Sequence, residues 1–177
     1  EVYFDLANAL AYSGKLSEAQ KVYADMEQRF GLTDEVIAEQ FNFLVNTNKL
    51  DEAERLVQRA VDAHPNEAHY LGMLAELHDQ KGEHDKALAC YKKALELDPG
   101  NSMMRIALAE HYYGTGRMEE AYTELGEAFL DPDLDIDAKM QVLIGFYEMT
   151  EREGESPNDR PDLIRRSYTL IDALERA

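Results

Sequence analysis

Histidine, cysteine and closely set carboxylates are the side chains with which a small chain can hold a metal, move a proton or attack a substrate. This chain offers five histidines, one cysteine and 36 acidic residues among its 177. His64, His69, His78, His84 and His111 show neither H-E-x-x-H nor any other tight ligand spacing, and Cys90 has no second thiol to join it, so the sequence predicts no metal site. Cys90 beside Tyr91 reads as a small buried hydrophobe facing the interior rather than as a reactive thiol, because no base accompanies it. His78 stands where related segments carry Leu10, Leu44 and Tyr112, which marks it as a packed imidazole. Neither G-x-S-x-G nor a phosphate-cradling glycine loop occurs, and acidic density alone makes no apolar pocket that would raise a carboxyl pKa. A catalytic function is therefore not expected, and neither is a cofactor.

Eighteen basic residues against those acids leave a formal charge of -18, which repels nucleic-acid phosphates and anionic lipid and favours neutral or basic protein partners. No apolar run reaches the roughly eighteen residues of a membrane span, and no basic start leads into an apolar stretch. The chain opens at Glu1 without methionine, which reads as a processed product or a fragment of a longer chain, and one free cysteine is compatible with cytoplasm and periplasm alike.

The elements that would position these residues come from an internal period. Displacing the sequence by 34 residues superimposes Ala19, Ala53, Ala87 and Ala121; five residues earlier it superimposes Gly14, Asn48, Gly82 and Gly116. Tyr23, Val57, Tyr91 and Leu125 follow one turn later, and then Met26, Ala60, Ala94 and Ala128. Each unit carries an apolar stripe at helical spacing (Leu6, Ala7 and Leu10; Leu74, Ala75 and His78; Leu108, Ala109 and Tyr112), followed by a residue tolerant of positive φ. Ser17, Asp51, Asp85 and Glu119 then supply oxygens near the start of a second helix, and Gly31, Pro65, Pro99 and Pro132 end that helix. The expected fold is all-α, a solenoid of antiparallel helix pairs with boundaries near 1–33, 34–67, 68–101 and 102–135. A divergent fifth pair over 136–177 begins with a helix over Asp137 to Thr150, whose stripe is Ala138, Val142, Leu143, Phe146 and Met149. A polar insert at 151–161 precedes a last helix over Asp162 to Ala177, which carries Leu163, Ile164, Tyr168, Ile171 and Leu174.

These residues resemble the tetratricopeptide repeat. A small residue in the first helix, the turn glycine, the central alanine, an aromatic, a further alanine and the closing proline all occur from Ala68 to Asn101. Ser102 to about Pro132 is similar, as is Asp34 to Glu67, where Gln40 and Phe41 replace the usual leucine and small residue. Glu1 to Thr33 lacks the opening residue and the proline. The resemblance implies a right-handed superhelix whose first helices line a concave surface, and hence a non-catalytic scaffold that binds a peptide or protein there. It places Phe4, Asn8, Tyr12, Asn42, Asn46, His69, Glu76, Asp79, Glu110 and Tyr113 along or beside that groove. Of the tyrosines, Tyr12, Tyr113 and Tyr147 lie outside the packing stripes.

Members of the family that dock chaperone tails clamp a C-terminal carboxylate with cationic and amide side chains. Here Asn8 keeps one matching amide, whereas Phe4, Glu39, His69 and Met73 fill the other places, so acidic chaperone tails are not expected to bind. A competing expectation is a spacer or self-association module of a larger protein, making its contacts at the terminal helix near Leu163, Ile171 and Leu174.

Overall fold

A computed structural model describes residues 2–152. Those residues form nine helices and no strand: α1 (Val2–Tyr12), α2 (Leu16–Phe30), α3 (Asp34–Asn46), α4 (Leu50–Ala63), α5 (Ala68–Gln80), α6 (His84–Leu97), α7 (Ser102–Gly114), α8 (Met118–Phe129) and α9 (Ile136–Arg152). None of them is long and apolar enough to cross a membrane. The expected polar insert overlaps the end of α9 at 151–152, and the rest of it, like the helix expected over 162–177, lies outside the described residues. The chain divides into two compact units, Glu1–Gly82 and Glu83–Ala177.

The turns between paired helices are built alike. After α1 the Lys15 N–H reaches the Leu10 carbonyl at 2.9 Å and Gly14 N–H the Ala11 carbonyl at 3.0 Å; Lys49 and Asn48 repeat this on Leu44 and Val45 at 2.8 and 2.9 Å. This two-bond closure needs a left-handed residue, which Gly14 supplies at φ 77° and Asn48 at φ 57°, the one positive φ outside glycine among the described residues. The bonds satisfy carbonyls at the end of the first helix and reverse the chain, so the second helix runs back along it.

The starts of the second helices depart from expectation. Lys15, Lys49, Glu83 and Arg117 occupy the N-cap positions and make no side-chain cap bond. Ser17, Asp51, Asp85 and Glu119 lie one residue inside the first turn, where the three carboxylates act on the helix dipole instead of capping it. Asp51 also pairs with Lys81 at 2.8 Å. True side-chain caps open three first helices: Thr33 Oγ1 accepts from Val36 N–H at 3.4 Å, Asn101 Oδ1 from Met104 N–H at 2.9 Å, and Asp135 Oδ1 from Ala138 N–H at 2.8 Å.

In the first unit α1 and α2 form an antiparallel hairpin whose open end is joined by the edge-on rings of Tyr3 and Phe30, 5.8 Å apart. α2 then packs on α3, and α4 packs on both α3 and α5. The core alternates small and large: buried Ala19 and Ala53 let the helices approach, and buried Tyr23 and Val57 fill the space one turn on. Tyr70 on α5 donates its O–H to Asp34 at the start of α3, a contact that joins the two first helices.

The second unit repeats the scheme with Ala87 and Tyr91 on α6 and Ala121 and Leu125 on α8, all buried. Arg105 of α7 donates to Glu124 of α8 at 2.7 Å and to the Pro99 carbonyl at 3.1 Å, fastening the two helices of the pair to each other and to the turn before them. Cys90 is half-buried rather than fully interior, and burial pushes its thiol pKa up, away from the thiolate. His78 is buried, as its place in the apolar stripe predicts.

Candidate functional site

Each first helix carries three stripes, and packing assigns two of them. One faces the helix's own second helix. Tyr3 meets Phe30 and donates its aromatic face to Arg29, Arg105 meets Glu124, and the Arg117 guanidinium lies 4.4 Å over the Tyr112 ring. On α3, α5 and α7 the adjacent stripe is covered by the second helix of the preceding pair. Tyr23 of α2 sits 5.2 Å from the Phe43 ring of α3, and Tyr91 of α6, its equivalent in the second unit, sits 5.7 Å from His111 of α7.

The third stripe is left facing solvent. In the first unit it runs through Asp5, Asn8 and Tyr12 on α1, Glu35, Glu39, Asn42 and Asn46 on α3, and His69, Met73, Glu76 and Gln80 on α5. In the second it runs through Met103, Ala107, Glu110 and Gly114 on α7 and Asp137, Gln141, Ile144 and Glu148 on α9. Within each helix the spacing alternates between three and four residues, which keeps the side chains on one face. α9 follows the same phase, with buried Phe146 on its packed side and exposed Asp137, Gln141, Ile144 and Glu148 on its open side.

Seven of the ten residues singled out from sequence fall on this open stripe. Tyr12 is 93% exposed, and Asn42, Asn46, His69, Glu76 and Glu110 are exposed as well. Asn8 is half-buried, with its Oδ1 accepting from Tyr23 O–H at 3.4 Å, so its amide is partly committed to the core. The His69 ring lies against that of Tyr70, tilted by 46° with centroids 3.9 Å apart, and its Nδ1 is 3.7 Å from a Glu67 carboxylate oxygen. Phe4, Asp79 and Tyr113 sit one step aside from the stripe and are half-buried. Tyr113 meets Phe146 of α9 edge-on at 5.6 Å, so its ring packs between successive first helices. The side chain of Tyr147 lies outside the described residues.

Glu35, Gln80 and Met103 belong to the same face and escaped the sequence reading. The signal that finds them is the phase shared with Asn42, Asn46 and His69 across successive units. The fold also brings exposed His84 to buried His111, centroids 6.0 Å apart, a pair that a search for close spacing passes over.

The electrostatics of the face are one-signed. In the first unit the open stripe carries Asp5, Glu35, Glu39 and Glu76, and in the second unit Glu110, Asp137 and Glu148, with neither lysine nor arginine among the described residues of either. Desolvation raises the Glu110 pKa although the residue reaches solvent, because surrounding atoms exclude water from part of its carboxyl. Most lysines and arginines of the described residues lie instead on the second helices and at the turns; Arg105 of α7 is turned to Glu124, and Lys139 of α9 is buried. Lys81 closes on Asp51 and Glu54, both contacts holding its ammonium well above the usual lysine range, and Arg59 pairs with Glu27. A depression on α4 lined by Asp51, Glu54, Arg55 and Gln58 is part of that charged surface.

Residues 39–102 and 80–140 each match a family model described as the tetratricopeptide repeat. No curated protein matches the sequence. Among solved structures the chain is similar to a crystal structure of MamA protein over 99% of this chain and 91% of that one, with 14% identity and a TM-score of 0.64. A second crystal structure of MamA aligns over 96% and 95% at 13% identity, with a TM-score of 0.63. MamA 41-end from Desulfovibrio magneticus RS-1 aligns over 71% of each chain at 17% identity, with a TM-score of 0.57. At such identities the likeness is one of fold.

Proposed function

Because the chain belongs to the tetratricopeptide repeat family, whose members bind proteins or peptides, we propose that it is a non-catalytic scaffold holding a neutral or basic peptide or protein segment along the open face of its first helices. The observation that carries this reading is the absence of any lysine or arginine from the described open stripe, in a face that repeats from helix to helix and is studded with carboxylates. Asn42 and Asn46 can donate and accept, and so can pair with an extended backbone; Glu39, Glu76 and Glu110 attract cationic side chains; Tyr12, Met73 and Met103 offer apolar contact between them. Carboxylates also speed the encounter with a basic segment and turn away acidic ones.

The same charge argues against acidic chaperone tails. Such a tail needs cations where this chain has Glu39, His69 and Met73, and Asn8, the one matching amide, already accepts from Tyr23.

The test is binding of short fluorescent peptides of basic, neutral and acidic composition to the chain and to Glu39→Lys/Glu76→Lys. Basic peptides should bind best, weaken with added salt, and lose about tenfold or more in affinity in the double variant. Equal binding of all three compositions, or a micromolar acidic tail lost on Asn8→Ala, would remove the proposal.

A further inference from the structure

Two histidines of the second unit depart from the repeat at positions that the fold brings together. His84 opens α6 where the other second helices open with Leu16, Leu50 and Met118, and His111 stands on α7 where α3 and α5 carry buried Phe43 and Leu77. Because α6 packs on α7, the two departures meet: the ring centroids are 6.0 Å apart, and a ring nitrogen of each lies within 4.8 Å of the other. His111 is buried, with the Tyr91 and Tyr112 rings 5.7 and 5.8 Å away, whereas His84 is exposed. An imidazole pair where the repeat elsewhere places apolar side chains forgoes apolar burial and brings two nitrogen ligands together.

We propose that His84 and His111 bind a divalent transition-metal ion of the class that favours imidazole, Zn²⁺ or Cu²⁺, with water completing its coordination on the exposed His84 side. Metal–nitrogen bonds of about 2.0–2.1 Å are reached by turning the His84 ring, which sits at the first residue of α6 and meets water, while the packed His111 ring stays in place. The Tyr91 and Tyr112 rings wall the His111 side and hold that imidazole in one orientation. Asp85, next to His84, and the chain's -18 attract cations to this edge. The bound ion ties the start of α6 to α7 and so stabilises the second unit. The two ligands lie far apart in sequence, which is why spacing predicts no metal site. Both lie off the open face, so metal binding does not depend on what that face holds.

The test is calorimetric titration of Zn²⁺ and of Cu²⁺ into the tag-free chain with excess Mg²⁺ present, an ion that occupies exposed carboxylates and suits imidazole poorly. A single ion should bind, Cu²⁺ more tightly than Zn²⁺, and the melting temperature should rise with Zn²⁺ concentration. The electron-spin spectrum of the Cu²⁺ form should show coupling to two imidazole nitrogens. His84→Leu and His111→Leu restore the apolar character of the repeat at each position; each should weaken Zn²⁺ binding about tenfold or more and remove the rise in melting temperature. His64→Ala, outside the pair, should change neither. Should His111→Leu disturb the fold, His84→Ala at the exposed position reads the same loss. Full Zn²⁺ affinity in either leucine variant, a copper spectrum with fewer than two nitrogens, or no saturable binding of either ion would overturn the proposal.

Discussion

α1 and α5 carry the same kind of residue at the same phase and meet opposite fates. Val2 and Leu6 stand in solvent, whereas Tyr70 and Leu74 are buried beneath α4. Both helices bury the alanine that faces their own second helix, Ala7 and Ala75. The difference teaches that in a stack of repeats a side chain's burial depends on its neighbours in the series as much as on its own chemistry. Stability is then approximately a sum of units and of the interfaces between them.

The sharpest way to break this comparison is a paired truncation. Leu74→Ala should cost about 2–5 kcal/mol through lost burial and a cavity. Leu6→Ala should stay within about 0.5 kcal/mol of the parent. Urea unfolding of both variants measures the contrast, and equal losses would mean that Leu6 is covered in solution.

A smaller effect is expected from overfilling a helix crossing. Ala87 is fully buried on α6, which packs on α7, so Ala87→Leu should cost about 1–3 kcal/mol. An unfolding midpoint identical to the parent's would show that the crossing has room the structure does not display.

Caps divide first helices from second helices more finely. Asn101→Ala removes an accepted bond at the start of α7 and should cost about 1 kcal/mol. Asp85→Ala removes only a dipole interaction at α6 and should cost about 0.3–1 kcal/mol, a loss that salt reduces. Thermal melts at low and high salt separate the two mechanisms.

The smallest expected effect concerns the open face. Because desolvation raises the Glu110 pKa in the folded chain, that state holds the proton more tightly than the unfolded chain does. The ionised carboxylate therefore lowers stability at neutral pH, and the penalty fades as pH falls through the raised folded value and then the ordinary one. Glu110→Gln should raise the melting temperature slightly at neutral pH and lose that advantage in acid. An advantage that persists below the ordinary glutamate range would point to a cause other than charge.

Much of this was legible in the residues themselves. A period of 34 residues, with alanines and turn residues in phase, specifies helix pairs because the spacing of apolar side chains decides which faces can be buried together. Asn48 could be assigned a left-handed turn because asparagine tolerates that conformation and glycine fills its place in other units. Most of the open face was legible for the same reason: Asn42, Asn46, Glu76 and Glu110 are polar at a fixed phase beside an apolar stripe.

The sequence by itself thus determined the helices, their pairing, the residues of each apolar stripe and the acidic character of the chain, since these follow from local geometry and composition. Only the tertiary structure decided which stripe is covered by which helix. That is why Tyr113 lies against Phe146 although it looked free, why Ser17, Asp51 and Asp85 sit inside the first turn although they looked like caps, and why Leu6 remains in water although it looked like core. Each of these outcomes depends on atoms contributed by a distant or neighbouring segment. Spacing along one helix carries no record of whether such a segment is in place.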